Sequence, residues 1–285
     1  MIRTLCKKIM NRPPDSHKGD YGHVFVLAGS GSYTGAPYLT SQAALLAGAG
    51  LVTLGIAKSL YPILAAKLTE VMVRALPETR DMSLSLKAEN DIAHFSRKVD
   101  VLALGPGLSL NSQTQKLVLT LLAKIEKPFV VDADGISALR GHLDIIKKAQ
   151  HPVVLTPHPG EFARLINREA ADVQRNRKNI ALTFSKEYNV VLVLKGCGTV
   201  VADPRGKVYV NRTGNPGMAS GGVGDVLTGI IASFIGQGLS PYEASVLGTH
   251  AHGLAGDIAA VEKGLLSVIA TDLLHNLPEA LKALA

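Results

Sequence analysis

Asn215-Pro-Gly-Met-Ala-Ser-Gly-Gly-Val-Gly-Asp225 is the stretch from which the rest of this chain can be read. Four glycines stand between Gly217 and Asp225, and the stretch ends on one acid. An apolar run follows at once: Val226, Leu227, Ile230, Ile231, Phe234 and Ile235. Its spacing is helical, and Gly236-Gln-Gly238 closes it. A glycine loop therefore opens a buried helix, with Asp225 in or near its first turn. The first amides of a helix lack internal partners and carry the positive end of its dipole. Glycines let such a backbone approach an anion closely. A carboxylate beside that anion makes sense if it takes a proton from a hydroxyl attacking a phosphoryl group. The plainer reading is a loop that only turns the chain, with Asp225 as a helix-start charge.

Working outward, strand and helix patterns alternate. His23–Ala28, Leu51–Ile56, Val71–Ala75, Asp100–Leu104, Pro128–Asp132, Pro152–Thr156 and Val190–Leu194 read as strands. Ala36–Ala49, Ser112–Lys124, Glu169–Tyr188 and Ala244–Ala260 read as helices. Thr199–Asp203 and Lys207–Val210 flank Pro204-Arg-Gly206 as a hairpin, and residues 1–18 read as a short lead-in ending at Pro13-Pro14. Strands that are apolar throughout and separated by helices imply a parallel sheet covered on both faces. Residues 1–285 thus read as a single three-layer α/β/α domain with a mostly parallel central sheet. In such sheets ligands bind at the carboxyl ends of the strands. Nearly every glycine-rich or Pro-His segment lies just after a strand, so these segments should converge on one edge.

Composition narrows the function classes. Of 285 residues 47% are apolar and 19% charged, which suits a buried core rather than disorder. No apolar run is long enough to span a bilayer, and the N-terminus lacks a signal-peptide core, so a cytoplasmic protein is expected, with no membrane partner. Cys6 and Cys197 fit no metal or redox spacing. The net charge of +7 is scattered, without Trp or basic–aromatic runs, which argues against nucleic-acid binding and for small anionic ligands.

The other segments that could carry chemistry each have a bland alternative. Gly29-Ser-Gly-Ser-Tyr-Thr-Gly35 has GxGxxxG spacing without a following ribose acid, and no Walker lysine. It reads as a close-packing turn or a loose wrap around substrate. Gly105-Pro-Gly107 is a turn, or a gap for an approaching ligand. Asp132 and Asp134 either cap the next helix or help to hold a cation through water. In Thr156-Pro-His-Pro-Gly-Glu161 two prolines stiffen the chain around His158, a binding candidate. Glu161 holds a metal-bound water or only starts a helix. Lys195-Gly-Cys-Gly-Thr199 offers a cation, two glycines and a hydroxyl suited to a nucleotide phosphate. The alternative is a glycine hairpin with Lys195 in solvent. His250 and His252, two apart on a helix, cannot share a metal and read as packing residues.

Taken in order, these pieces resemble the ADP/ATP-dependent NAD(P)H-hydrate dehydratases of the ribokinase-like superfamily. The resemblance lies in Lys18-Gly-Asp-Tyr-Gly22, Tyr33-Thr-Gly-Ala-Pro37, Leu104-Gly-Pro-Gly-Leu108, Val131-Asp-Ala-Asp134, Leu155-Thr-Pro-His-Pro-Gly-Glu-Phe162, Lys195-Gly-Cys-Gly-Thr199 and the opening stretch. It implies a ribokinase-like fold and a substrate that is the (6S)-hydrate of NADH or NADPH. ADP or ATP would phosphorylate its ring hydroxyl, and phosphate would then be expelled to restore the cofactor. By the same resemblance Asp225 is the base, and the amides of Gly222, Val223 and Gly224 hold the transferring phosphoryl group. Lys195, Gly196, Cys197, Gly198, Thr199 and Gly224 form the adenine-nucleotide site. Ala36, Gly107, His158 and Asp225 contact the hydrate. Mg2+ would bridge the nucleotide phosphates largely through water, with Glu161 the candidate to hold one. A homo-oligomer, a tetramer by family resemblance, and a separate epimerase protein are expected partners. The rival readings are a vitamin-precursor kinase of the same superfamily, a dinucleotide oxidoreductase and a nucleotide sensor.

Overall fold

The computed structural model describes all residues 1–285. Nine strands form one sheet: β1 His23–Leu27, β2 Leu51–Ala57, β3 Met72–Leu76, β4 Val101–Leu104, β5 Phe129–Val131, β6 Val153–Leu155, β7 Val191–Leu194, β8 Val200–Ala202 and β9 Val208–Val210. Their order is β3-β2-β1-β4-β5-β6-β7-β8-β9. The first seven strands are parallel, and β8 and β9 add the expected antiparallel hairpin.

The central parallel strands are apolar on both sides because each side enters a different core, whereas edge strand β3 is mostly exposed. Along β1, Val24 and Val26 join one cluster while Phe25 and Leu27 join the other. Helices Gly35–Leu46, Val223–Gly236, Pro241–Lys263 and Ala270–Lys282 cover the first face. Helices Glu89–Ser96, Ser112–Lys124, Pro159–Leu165 and Arg177–Tyr188 cover the second. This is the three-layer α/β/α arrangement with a mostly parallel sheet that the sequence pattern implies. Local signals start the helices. Asn111 accepts the Gln113 amide at 3.0 Å, and Ser240 and Glu243 form a capping box ahead of Pro241.

The strand order reverses direction between β1 and β4, the kind of position where open α/β sheets hold ligands. The helix Val223–Gly236 lies on Gly35–Leu46 at backbone distance. A Cβ on Gly229 would fall 2.1 Å from the Thr40 carbonyl oxygen, so only glycine allows this approach. That contact places the glycine loop beside the switch point.

Three expectations change. Residues 1–18 are more than a lead-in: helix Ile2–Met10 buries Leu5, Cys6 and Ile9 in the first core. The continuous helix 169–188 is two helices, Ala170–Arg175 and Arg177–Tyr188, broken at Asn176 with φ −136° and ψ 40°. Asparagine is a weak helix former, and the break directs Arg177 to the Leu194 and Lys195 carbonyls at 2.8 and 3.1 Å. Asp132 and Asp134 cap no helix, since Ala133 precedes Asp134–Ala138 without a side-chain cap. No helix is long and apolar enough to cross a membrane.

Candidate active site

The loops after β1, β4, β5, β6 and β7 meet at one sheet edge, as the sequence pattern requires. Gly29 N–H donates to the Pro106 carbonyl at 2.8 Å, joining the loops after β1 and β4. A Cβ on Gly107 would lie 3.1 Å from the Ala36 Cβ, so two of the expected hydrate contacts are neighbours. Lys195 N–H donates to the Pro157 carbonyl at 2.9 Å, joining the loops after β6 and β7.

The glycine loop flanks these strand-end loops, with Gly224 against Lys195. Gly222 is the N-cap of the helix at φ +86°, a left-handed conformation that favours glycine. A side chain there would also strike Leu39, one turn beyond Ala36. The amides of Gly222, Val223 and Gly224 take no part in the backbone hydrogen bonds of turns and caps, and a helix start leaves them free. His252 fixes the loop from beneath. Its Nε2 lies 2.9 Å from the Val223 carbonyl and donates to it. Burial pushes the His252 imidazole down to about 4, against the raising effect of that bond, so the ring is neutral at pH 7. The packing role read for His252 holds. His250 Nδ1 pairs with the Tyr209 hydroxyl at 3.1 Å.

Charge concentrates around Gly224. Lys195 Nζ lies 2.8 Å from Asp132 Oδ1, and a Cβ on Gly224 would come within 3.0 Å of the same nitrogen. Lys195 therefore does not point to solvent. Its ammonium sits between Asp132 and Gly224. Burial alone would lower its pKa, but Asp132, Glu161 and Asp225 outweigh that and keep it charged. Asp225 is half-buried and accepts no hydrogen bond. Its carboxyl is pushed up to about 7, first by desolvation and next by the Asp132 charge, with Lys195 opposing. Glu161 and Asp134 raise it further. A carboxylate poised near neutrality beside free amides and an ammonium is equipped to take a proton from a nucleophile attacking an anion.

His158 and Glu161 hold each other. His158 Nδ1 accepts from the Gly160 and Glu161 amides at 3.1 and 3.3 Å, while Glu161 accepts the His158 amide at 2.8 Å. So Glu161 does start a helix, Pro159–Leu165, and its carboxylate still faces Asp225 electrostatically. In the 195–199 turn Thr199 Oγ1 donates to the Gly196 carbonyl at 2.9 Å, and Gly196 and Gly198 adopt φ +130° and +63°. Cys197 is free and exposed. The site residues that sequence reasoning missed are Thr228 and Arg177. Thr228 Oγ1 donates to Asp132 Oδ2 at 2.8 Å. Its one sequence signal is a hydroxyl one turn after Gly224, inside a mostly apolar helix.

The Asn215-Pro-Gly-Met-Ala219 segment is docked, not free. Asn215 Nδ2 donates to the Gly256 carbonyl and to Asp257, at 2.9 and 3.0 Å, and its Oδ1 accepts the Gly217 amide at 3.0 Å. The glycines of Pro241–Lys263 serve this docking. Side chains at Gly253 and Gly256 would collide with Thr213 and Met218.

A family model for NAD(P)H-hydrate dehydratase matches residues 24–279. A bifunctional NAD(P)H-hydrate repair enzyme of Moorella thermoacetica is 48% identical over 277 residues, covering 97% of this chain and 52% of that protein. The chain spans about half the length of the curated relatives it matches. The fold is similar, at TM-score 0.85 and 29% identity, to a Bacillus subtilis ADP/ATP-dependent NAD(P)H-hydrate dehydratase co-crystallised with ATP and Mg2+, over 100% of this chain and 98% of that one. A hydroxyethylthiazole kinase of Pyrococcus horikoshii shares the fold at TM-score 0.65 and 16% identity, over 98% and 92% of the two chains.

Proposed function

We propose that this chain, which belongs to the NAD(P)H-hydrate dehydratase family, dehydrates the (6S)-hydrates of NADH and NADPH at the expense of ADP or ATP. The observation that carries the reading is Asp225, a carboxylate held near neutrality beside the free amides of Gly222 to Gly224. Asp225 accepts the proton of the ring hydroxyl. The hydroxyl oxygen bonds to the terminal phosphorus as the bond from phosphorus to the nucleotide breaks. The loop amides and Lys195 carry the charge spread over the phosphoryl oxygens. The ring nitrogen lone pair then expels phosphate, and a proton leaves the neighbouring carbon to restore the reduced nicotinamide.

In this reading Ala36, Gly107 and His158 contact the hydrate, and the 195–199 turn with Gly224 receives the nucleotide. Residues 1–285 act as one domain. Mg2+ would be held mainly by nucleotide phosphates and water, with Glu161 holding a water, where it would neutralise phosphate charge. The test is to incubate the protein with hydrated NADH and either nucleotide. Recovery of reduced-nicotinamide absorbance with release of phosphate is expected. An accumulating phosphate ester would instead favour the vitamin-precursor kinase, which the shared fold alone does not separate from the dehydratase.

A further inference from the structure

Asp132 is a buried charge in the cleft, 1% exposed, and both its oxygens are engaged. Oδ1 accepts from Lys195 Nζ and Oδ2 from Thr228 Oγ1, each at 2.8 Å. The Thr228 hydroxyl also lies 3.3 Å from the Gly224 carbonyl, so one side chain ties the carboxylate to the glycine helix. The backbone around Asp132 is equally constrained. Ala133 has φ +48°, rare for alanine, and a Cβ on Gly105 would fall 1.9 Å from the Asp132 carbonyl oxygen. The carboxylate therefore cannot swing, and the ammonium it holds stays against Gly224.

Lys195 faces three carboxylates: Asp132, Glu161 and Asp225. Paired directly with Asp225 it would quench the base. We infer that Asp132, fastened by Thr228, is a positioning residue that keeps the Lys195 ammonium on the transferring phosphoryl group and off Asp225. This rests on the phosphoryl-transfer reading above. Lys195 neither gives nor takes a proton; it only neutralises charge while the hydroxyl proton goes to Asp225.

The groups that face Asp225 are Asp132, Lys195, Glu161 and Asp134. Removing the Asp132 charge takes away a like charge and frees the ammonium to approach Asp225. Both changes lower the pH at which Asp225 becomes a base. The pH profile of turnover therefore separates positioning from mere structural support. Asp132→Asn should lower kcat about 100-fold and move the acid limb down by about one pH unit or more, with KM for the hydrate little changed. Thr228→Val should act in the same direction but less, and Thr228→Ser should restore both rate and limb. The Thr228 pair carries the test if Asp132→Asn does not fold. An active wild type whose variants lose rate with the acid limb unmoved overturns the inference, as does a Thr228→Ser no better than Thr228→Val. A wild type that does not turn over hydrate defeats the functional reading instead.

Discussion

Two glycine-rich stretches open helices on the same face of the sheet, Gly29–Gly35 before Gly35–Leu46 and Gly221–Gly224 before Val223–Gly236. They use glycine for opposite ends. In the first, the room that glycine leaves is filled by the protein: a Cβ on Gly29 would meet Pro37 at 2.7 Å, and one on Gly31 would meet Met82 at 2.7 Å. In the second, Gly222 alone is packed, against Leu39 at 2.5 Å; a Cβ on Gly221 would meet nothing within 4 Å, and one on Gly224 would meet only the Lys195 ammonium and the Asp132 carboxylate more closely than 3.8 Å. The first loop is a packing device. The second leaves backbone amides bare next to opposite charges, an arrangement that suits the anion proposed for it. A glycine motif is thus sorted by what occupies the missing side chains, not by its spacing.

The comparison can be broken most severely at Asp225. Asp225→Asn should keep the fold and nucleotide binding and lower turnover by about 10³-fold or more, measured with hydrated NADH. Retained turnover would remove Asp225 from the role of base. The same variant has a stability signature with a definite sign. A carboxyl raised to about 7 binds its proton more tightly when folded, so its ionisation destabilises the fold as pH rises from about 4 to about 7. Asp225→Asn should therefore melt higher than the wild type at pH 8 and nearly level with it at pH 4. The reverse order would mean that the carboxylate is stabilised where it stands.

Gly224→Ala comes next. The new methyl displaces the ammonium rather than any packed apolar group, so a loss of about 100-fold in kcat with a small change in melting temperature is expected. Gly29→Ala should show the mirror image. A left-handed φ of +85° and the Pro37 ring should together cost about 1–3 kcal/mol of stability by chemical denaturation, with the rate per folded molecule less affected. If Gly29→Ala were stable but inactive, the two loops would not differ in the way described.

The sheet was legible because most of its parallel strands bury both faces and so are written as apolar runs, the edge strand Met72–Leu76 with its Arg74 being the exception. The broken helix at Asn176 was not, since its pattern continues through the break and only the Arg177 contacts to Leu194 and Lys195 account for it. Among the site residues, Asp225, the glycine loop, His158 and Lys195 stood out through loop position after strand ends. Asp132 stood out too, as a helix cap or the holder of a cation through water; the cap is absent, and its Lys195 and Thr228 partners were not legible.

From the order of residues alone came the layered fold, the edge on which the loops gather and the acid at the glycine turn, because local backbone preference and hydrophobic period act over a few residues. Which way Lys195 points, what holds it there, and how far Asp225 departs from an ordinary carboxylate were settled by the folded chain. Those depend on burial and on side chains 63 to 96 residues apart in sequence, brought together by the tertiary fold.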